Sequence, residues 1–136
     1  MICKMLLLLA LVACPVCAAA QSLTNTTWVG IWNAHVNGQP TGTLTLAADT
    51  GQLGGTVVLD MVSNEGGTPH VIASDPHVLI HPRIHNNSLA FEVKMKRPNG
   101  EVIIASFIVT QMPDGNAHIH CTTCGPDAPN VELSRE

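Results

Sequence analysis

Histidine and cysteine are the residues through which this chain could do chemistry. Seven histidines occur in 136 residues. His118 and His120 have the two-residue spacing that places both side chains on one face of a strand. His35 faces the same way on the first predicted strand. Neutral imidazole is a common zinc or copper ligand, so His35, His118 and His120 form a candidate metal site if the first and last strands are neighbours. The alternative is three solvated imidazoles on a wet face.

Cys121 and Cys124 form a Cys-x-x-Cys pair near the C-terminus. In an exported protein the default for such a pair is a disulfide, which here would clip the end of the last predicted strand. Two other chemistries stay open, namely metal binding together with His118 or His120, and thiol redox exchange. A redox pair usually sits at a helix N-terminus, which favours the thiolate, but Gly125 and Pro126 follow without any helical pattern.

Other chemistry is poorly supported by the sequence. No serine lies in a Gly-x-Ser-x-Gly elbow, and the carboxylates are scattered over predicted turns and outward faces, so no acid–base pair is indicated. The formal net charge is −4, and Lys94–Arg97 is the one basic run of the mature chain, which argues against nucleic acid as a partner. We therefore expect a non-catalytic protein with no catalytic residues.

The first twenty residues are typical of an export signal. Lys4 supplies the positive end, Met5–Val12 is an apolar run, and Ala18–Ala20 is a small-residue cleavage site. The apolar run is shorter than the ~20 residues of a membrane span. The sequence thus predicts a signal peptide over residues 1–20, a secreted or periplasmic protein, and no transmembrane segment in the mature chain. A lipobox-like Leu11–Cys14 offers an alternative, in which the chain is lipid-anchored through Cys14.

Period-two alternation dominates the mature chain and must position these side chains. In Ser88–Thr110 the apolar Leu89, Phe91 and Val93 alternate with Ala90, Glu92 and Lys94, and a Pro-Asn-Gly turn leads into a second arm rich in β-branched residues. Eight segments have strand character: residues 27–36, 41–48, 53–61, 70–73, 77–85, 88–96, 101–110 and 116–121. Ser74–Pro76 is predicted as a turn, and Pro82, which cannot donate to a ladder, predicts an edge, a bulge or an early end for its strand.

These segments predict an all-β fold. We expect an antiparallel up-and-down meander over residues 21–121 that closes as a seven- or eight-stranded barrel, followed by an irregular tail over residues 122–136. A β-sandwich is the alternative.

A resemblance to known families rests on the first predicted strands. Gly30-Ile31-Trp32 resembles the Gly-x-Trp opening of lipocalins (calycins), and the run from Thr27 to Thr56 is similar to the first two hairpins of the avidin family. The resemblance implies a small secreted β-barrel. The later tryptophans that line the biotin pocket of avidins have no counterpart here, so biotin binding does not carry over.

The functional expectation follows from this architecture. We expect a secreted, non-catalytic binding module for a small apolar ligand, with Trp32, Leu46, Leu59 and Phe91 lining its interior. Trp32 has a second interpretation, as a core side chain that plugs one end of the barrel. Two other functions stay open: a structural or interaction domain of the cell envelope without a ligand cavity, and a metal-binding protein that uses its surface histidines.

Overall fold

The computed structural model describes residues 27–136, and within them the architecture is all-β. Nine antiparallel strands form one sheet. They are β1 (Gly30–Val36), β2 (Gln39–Asp49), β3 (Gln52–Ser63), β4 (His70–Val78), β5 (Ile80–His85), β6 (Ser88–Lys96), β7 (Val102–Gln111), β8 (Ala117–Cys121) and β9 (Val131–Arg135).

The strand order explains how the sheet is built. It runs β4-β3-β2-β1-β9-β8-β7-β6-β5, so strands that follow one another in the chain lie side by side within two halves. β1 and β9 join these halves at the centre. The two outermost strands, β4 and β5, are consecutive in the chain, and a single residue, Leu79, separates them.

Two tight hairpins are set by residues that tolerate a left-handed backbone. Asn37 and Gly38 have φ values of 51° and 78°, and Thr50 and Gly51 have φ values of 48° and 79°. Positive φ at both central positions is the type I′ geometry, whose twist matches that of the flanking strands. Both turns lie in the gaps between the predicted strand segments 27–36, 41–48 and 53–61.

The core lies on one face of the sheet. Leu89, Phe91 and Val93 are 0%, 1% and 0% exposed, which confirms the predicted alternation in β6. Phe91 stacks on Phe107 of the neighbouring strand with 5.4 Å between ring centroids. The other fully buried large side chains are Trp28, Trp32, Leu44, Leu46, Val109 and Leu133.

Three details of the predicted strands are wrong. The tail predicted to be irregular contains β9, which pairs with both β1 and β8; this pairing is long-range and leaves little trace in five residues that follow a proline-rich stretch. Asp75 and Pro76 do not turn but lie inside β4. The count is accordingly nine strands rather than seven or eight.

Pro82 behaves as its chemistry predicts. β5 is an edge strand, and its pairing with β6 shifts register between Ile80 and Arg83, around Pro82. His81 has a φ of 48° at this irregularity. An edge position with a bulge is where a residue without an N–H group is tolerated.

Met61 stands on the apolar side of the β3 alternation, yet 62% of it is exposed. The pairing between β2 and β3 ends at Gly42 and Leu59. Beyond that point β3 is paired with β4 alone within residues 27–136. The Met61 side chain is therefore open to solvent, although it stands at an apolar position of the alternation.

Gly55 allows β2 and β3 to approach closely, and it provides a test of this packing. A Cβ atom at Gly55 would clash with the carbonyl oxygen of Thr45 on β2, whereas a Cβ atom at the adjacent Gly54 would meet no atom within 4 Å. We expect Gly55→Ala to reduce the free energy of unfolding by about 1–3 kcal/mol, the usual cost of overpacking.

Gly54→Ala is the matched control and should change stability by less than about 0.5 kcal/mol. Urea denaturation measures both variants. Equal free energies of unfolding for Gly55→Ala and Gly54→Ala would contradict the close approach of Gly55 to the Thr45 carbonyl.

Candidate functional site

Trp32 lies at the junction of the two ends of the segment 27–136. Its indole Nε1 donates to the carbonyl of Trp28 at 3.0 Å, and the two rings are 5.9 Å apart. Arg135 of β9 lies with its guanidinium 4.7 Å from the centre of the Trp32 ring. The same guanidinium donates to the carbonyls of Thr27 and Val29. One cation therefore joins the last strand to the segment that leads into the first.

Most of the residues predicted to line a ligand cavity are buried. Trp32, Leu46 and Phe91 are 0%, 2% and 1% exposed, and Leu59 is half-buried. The first three side chains belong to the buried hydrophobic core.

The three histidines of the candidate metal site lie on strands that are not direct neighbours. β9 lies between β1 and β8, so the premise that the first strand neighbours His118 and His120 is wrong. Glu132 is paired in register with His35 on one side and with His118 on the other. Two strand spacings put the Cα atoms of His35 and His118 roughly 10 Å apart.

These side chains border a polar surface depression of about 220 Å³, which Asp114 also lines. His118 and His120 are exposed and point outward, as predicted, and His35 is half-buried. Within residues 27–136, no three His, Cys, Asp or Glu side chains form a group that could hold a metal ion.

Cys121 and Cys124 are joined as a disulfide, with their Cα atoms 5.4 Å apart, as predicted. The loop they enclose docks on β7 at Ser106. The Thr122 amide donates to the Ser106 carbonyl at 2.8 Å, and the Ser106 amide donates to the Thr123 hydroxyl at 3.0 Å. The clip therefore fixes the end of β8 against its neighbour.

The sequence did not reveal the most exposed element of the fold. Asp60–Ser63 of β3 pair with His70–Ser74 of β4, beyond the point where β2 stops pairing with β3. We call these two segments the ribbon. At its base the Ser74 hydroxyl donates to the Asp60 carboxylate at 2.6 Å.

The ribbon exposes apolar side chains. Met61, Val71 and Ile72 are 62%, 49% and 56% exposed. Its tip is ordered by local hydrogen bonds, from the Gly67 amide to the Asn64 carbonyl and between the ring of His70 and the Thr68 carbonyl. A two-stranded hairpin is marginally stable in water by itself, so an apolar ribbon with so little support is a candidate for contact with another molecule.

The outer edge of β4 carries backbone groups that do not face β3. The Leu79 amide donates to the Gly55 carbonyl at 3.0 Å. Along an antiparallel strand, the backbone N–H and C=O groups of every second residue face the paired strand. The backbone groups of Asp75 and Ala73 therefore face β3, as those of Leu79 do, whereas those of Ser74 and Pro76 face away. Pro76 has no N–H to leave unpaired, which suits its outward position.

A local pattern did indicate part of this element. The sequence predicts a strand over residues 70–73, but it treats residues 62–69 as a loop and 74–76 as a turn. The ribbon can be recognised only when the end of the β2–β3 ladder at Leu59 is known. That end depends on how β2, β3 and β4 pair with one another, which no single segment of the sequence indicates.

Arg135 can be tested against a matched arginine. Arg135→Lys keeps the charge but loses the fork that reaches two carbonyls, so we expect a loss of about 1–2 kcal/mol in unfolding free energy. Trp28 and Trp32 are the two tryptophans of the chain, so a red shift of tryptophan emission should accompany this loss.

Arg83→Lys is the control, because Arg83 makes one long bond of 3.5 Å to the His81 carbonyl on the surface. It should change stability by less than about 0.5 kcal/mol and leave the emission unchanged. An Arg135→Lys protein with native stability and emission would show that the guanidinium does not secure the junction.

Residues 27–136 contain no helix with the length and hydrophobicity that a bilayer crossing requires. Comparison of the chain with protein-family models, with curated proteins and with solved structures found no match.

Proposed function

We propose that this chain is an exported, non-catalytic interaction domain that binds an extended segment of a partner protein along the free edge of β4. The observation that carries this proposal is the ribbon, which projects past the β2–β3 ladder with exposed apolar side chains and an outer edge that no strand of residues 27–136 pairs with.

Edge-strand physics supports a strand-like partner. An added strand gains main-chain hydrogen bonds from the outward groups of the edge, and pockets between alternate side chains provide specificity. Natural sheets normally protect long edges with lysines, prolines or covering loops. β4 has Pro76 near its end, but His70–Ser74 carry no lysine and expose Val71 and Ile72.

We also propose that the sheet closes as a barrel, with residues 70–85 as the closing strand. Two observations support closure. Leu79 is the single residue between the strand that pairs with β3 and the strand that pairs with β6. In addition, the ring of His77 on β4 reaches the carbonyl of Lys94 on β6 at 3.0 Å. Closure would leave the ribbon as a flap at one end of the barrel.

A second candidate function is the binding of a small apolar ligand, which the resemblance to ligand-binding barrels suggests. It requires the closed core around Trp32 and Phe91 to open on binding. A fluorescent fatty-acid probe whose emission rises with the folded protein, and which does not compete with peptides at β4, would favour this candidate over the interaction domain.

Peptide selection tests the proposed edge. Nine-residue peptides selected from a random displayed library on the folded protein should alternate apolar and polar residues. Ser74→Pro removes an outward N–H while leaving the groups that face β3 in place, so it should weaken the selected peptides by about tenfold, or about 1.4 kcal/mol.

Ser74→Ala is the matched control, since it also loses the hydroxyl bond to Asp60 but keeps the N–H. It should bind the peptides as the native protein does. Peptides that bind Ser74→Pro with unchanged affinity, or a library that yields no binders, would contradict strand capture at β4. Circular dichroism confirms that both variants are folded.

A further inference from the structure

Lys94 and Lys96 are the two lysines of residues 27–136, and both lie on the outer face of β6. Their side chains are exposed, whereas Val93 and Met95, which alternate with them, face the core. No carboxylate of the described residues forms an ion pair with either lysine. Two positive charges without a partner therefore stand two residues apart on one surface.

Exposed apolar side chains lie on both sides of these lysines. On β7, Val102 pairs in register with Lys96 and Ile104 pairs with Lys94, and the two apolar residues are 55% and 47% exposed. On β4, Val78 is 70% exposed, and the ring of the residue before it contacts the Lys94 carbonyl at 3.0 Å. We call Val78, Lys94, Lys96, Val102 and Ile104 the basic patch.

The basic patch differs in charge from the rest of the described chain. Of the six basic residues Lys4 precedes this part, which leaves five basic against ten acidic residues. The carboxylates nearest the patch already face cations or imidazoles, since Glu92 lies 3.6 Å from His81 and Glu101 bonds to Arg97 at 3.1 Å. A negatively charged partner would therefore be attracted at this surface and repelled by most of the others, which orients the molecule.

The composition of the patch favours a lipid bilayer as this partner. Protein interfaces are enriched in Trp, Tyr and Arg and depleted of Lys, whereas the patch consists of lysine and aliphatic residues alone. At an anionic bilayer, a lysine lays its stem along apolar surface while its ammonium group reaches the headgroups. Aliphatic neighbours can enter the boundary between headgroups and acyl chains.

We propose that the basic patch attaches this protein peripherally to an anionic phospholipid surface. Lys94 and Lys96 contact lipid phosphates, and the three aliphatic side chains of the patch enter the headgroup boundary. This attachment is separate from strand capture at β4, because it uses side chains of the outer face rather than backbone groups of the edge.

Co-sedimentation of the purified protein with vesicles tests the attachment. Vesicles of equal parts phosphatidylcholine and phosphatidylglycerol should bind the protein, and vesicles of phosphatidylcholine alone should bind it much more weakly. Each lysine at an anionic surface is worth about fivefold in partitioning, so Lys94→Gln combined with Lys96→Gln should reduce binding by about 25-fold. About 0.5 M salt should weaken the native protein's binding in the same way, because it screens the charges.

Two further substitutions test the apolar part. Val102→Thr combined with Ile104→Thr keeps β-branched side chains but removes apolar area, so binding should fall about fivefold. Ile108→Thr is the matched control, because Ile108 is exposed on β7 outside the patch. Arg83→Gln is the control for charge, because Arg83 is an exposed cation of β5. Both controls should bind as the native protein does, and circular dichroism confirms that each variant is folded.

Three results would overturn the attachment. They are equal binding of the native protein to the two kinds of vesicle, unchanged binding of the double lysine variant, and unchanged binding of the double threonine variant. Binding of a soluble nonaglutamate peptide without binding of the vesicles would assign the lysines to an acidic protein partner, and would also overturn it. All variants share the same N-terminal residues, so differences between them belong to the patch.

Ser74→Pro separates the two proposals. It should lose the peptides selected on β4 yet bind the vesicles as the native protein does, so failure of strand capture leaves the attachment standing, and the reverse also holds.

Discussion

Both edges of this sheet belong to one short stretch of chain, and the structure depends on that constraint. A backbone group can face one neighbouring strand at a time. The chain therefore bonds to β3 up to Leu79 and to β6 from Ile80 onward. Within residues 27–136, β4 is consequently left without a bonded strand on its side away from β3, and β5 on its side away from β6. The ribbon, the bulge at Pro82 and the contact of His77 with β6 all lie on this stretch, because it is where the hydrogen-bonded ladder changes partner.

The opposite side of the sheet is secured by the two ends of the described chain. β9 fills the position between β1 and β8, and its Arg135 covers Trp32 while bonding to the segment before β1. The Glu136 amide extends this pairing to the Ile31 carbonyl at 3.1 Å. Residues 131–136 therefore link β1 to β8. The core around Trp32 is closed at this junction, whereas Met61, Val71 and Ile72 are left to solvent where the β2–β3 ladder ends.

Local patterns predicted what local physics determines. The alternation of Leu89, Phe91 and Val93, the positive-φ turn at Asn37 and Gly38 and the Cys121–Cys124 bridge are each fixed by neighbours in the sequence, and each is confirmed. The turn predicted at Ser74–Pro76 was a local error, whereas two other facts depend on which strands are neighbours in space. β9 separates His35 from His118, and the end of the β2–β3 ladder exposes Met61. Neither fact can be derived from a single segment, and the ribbon was missed for the same reason.

The outer edge of β4 is the central element of the proposed function, because the proposed strand capture acts there. Backbone amide hydrogen exchange, resolved by residue with NMR, tests it most directly. If β4 faces β3 on one side and solvent on the other, the amides of Ala73 and Asp75 should be protected while that of Ser74, between them, exchanges nearly as fast as in an unfolded chain. Equal protection of all three amides would mean that the edge is already covered, and would contradict the account.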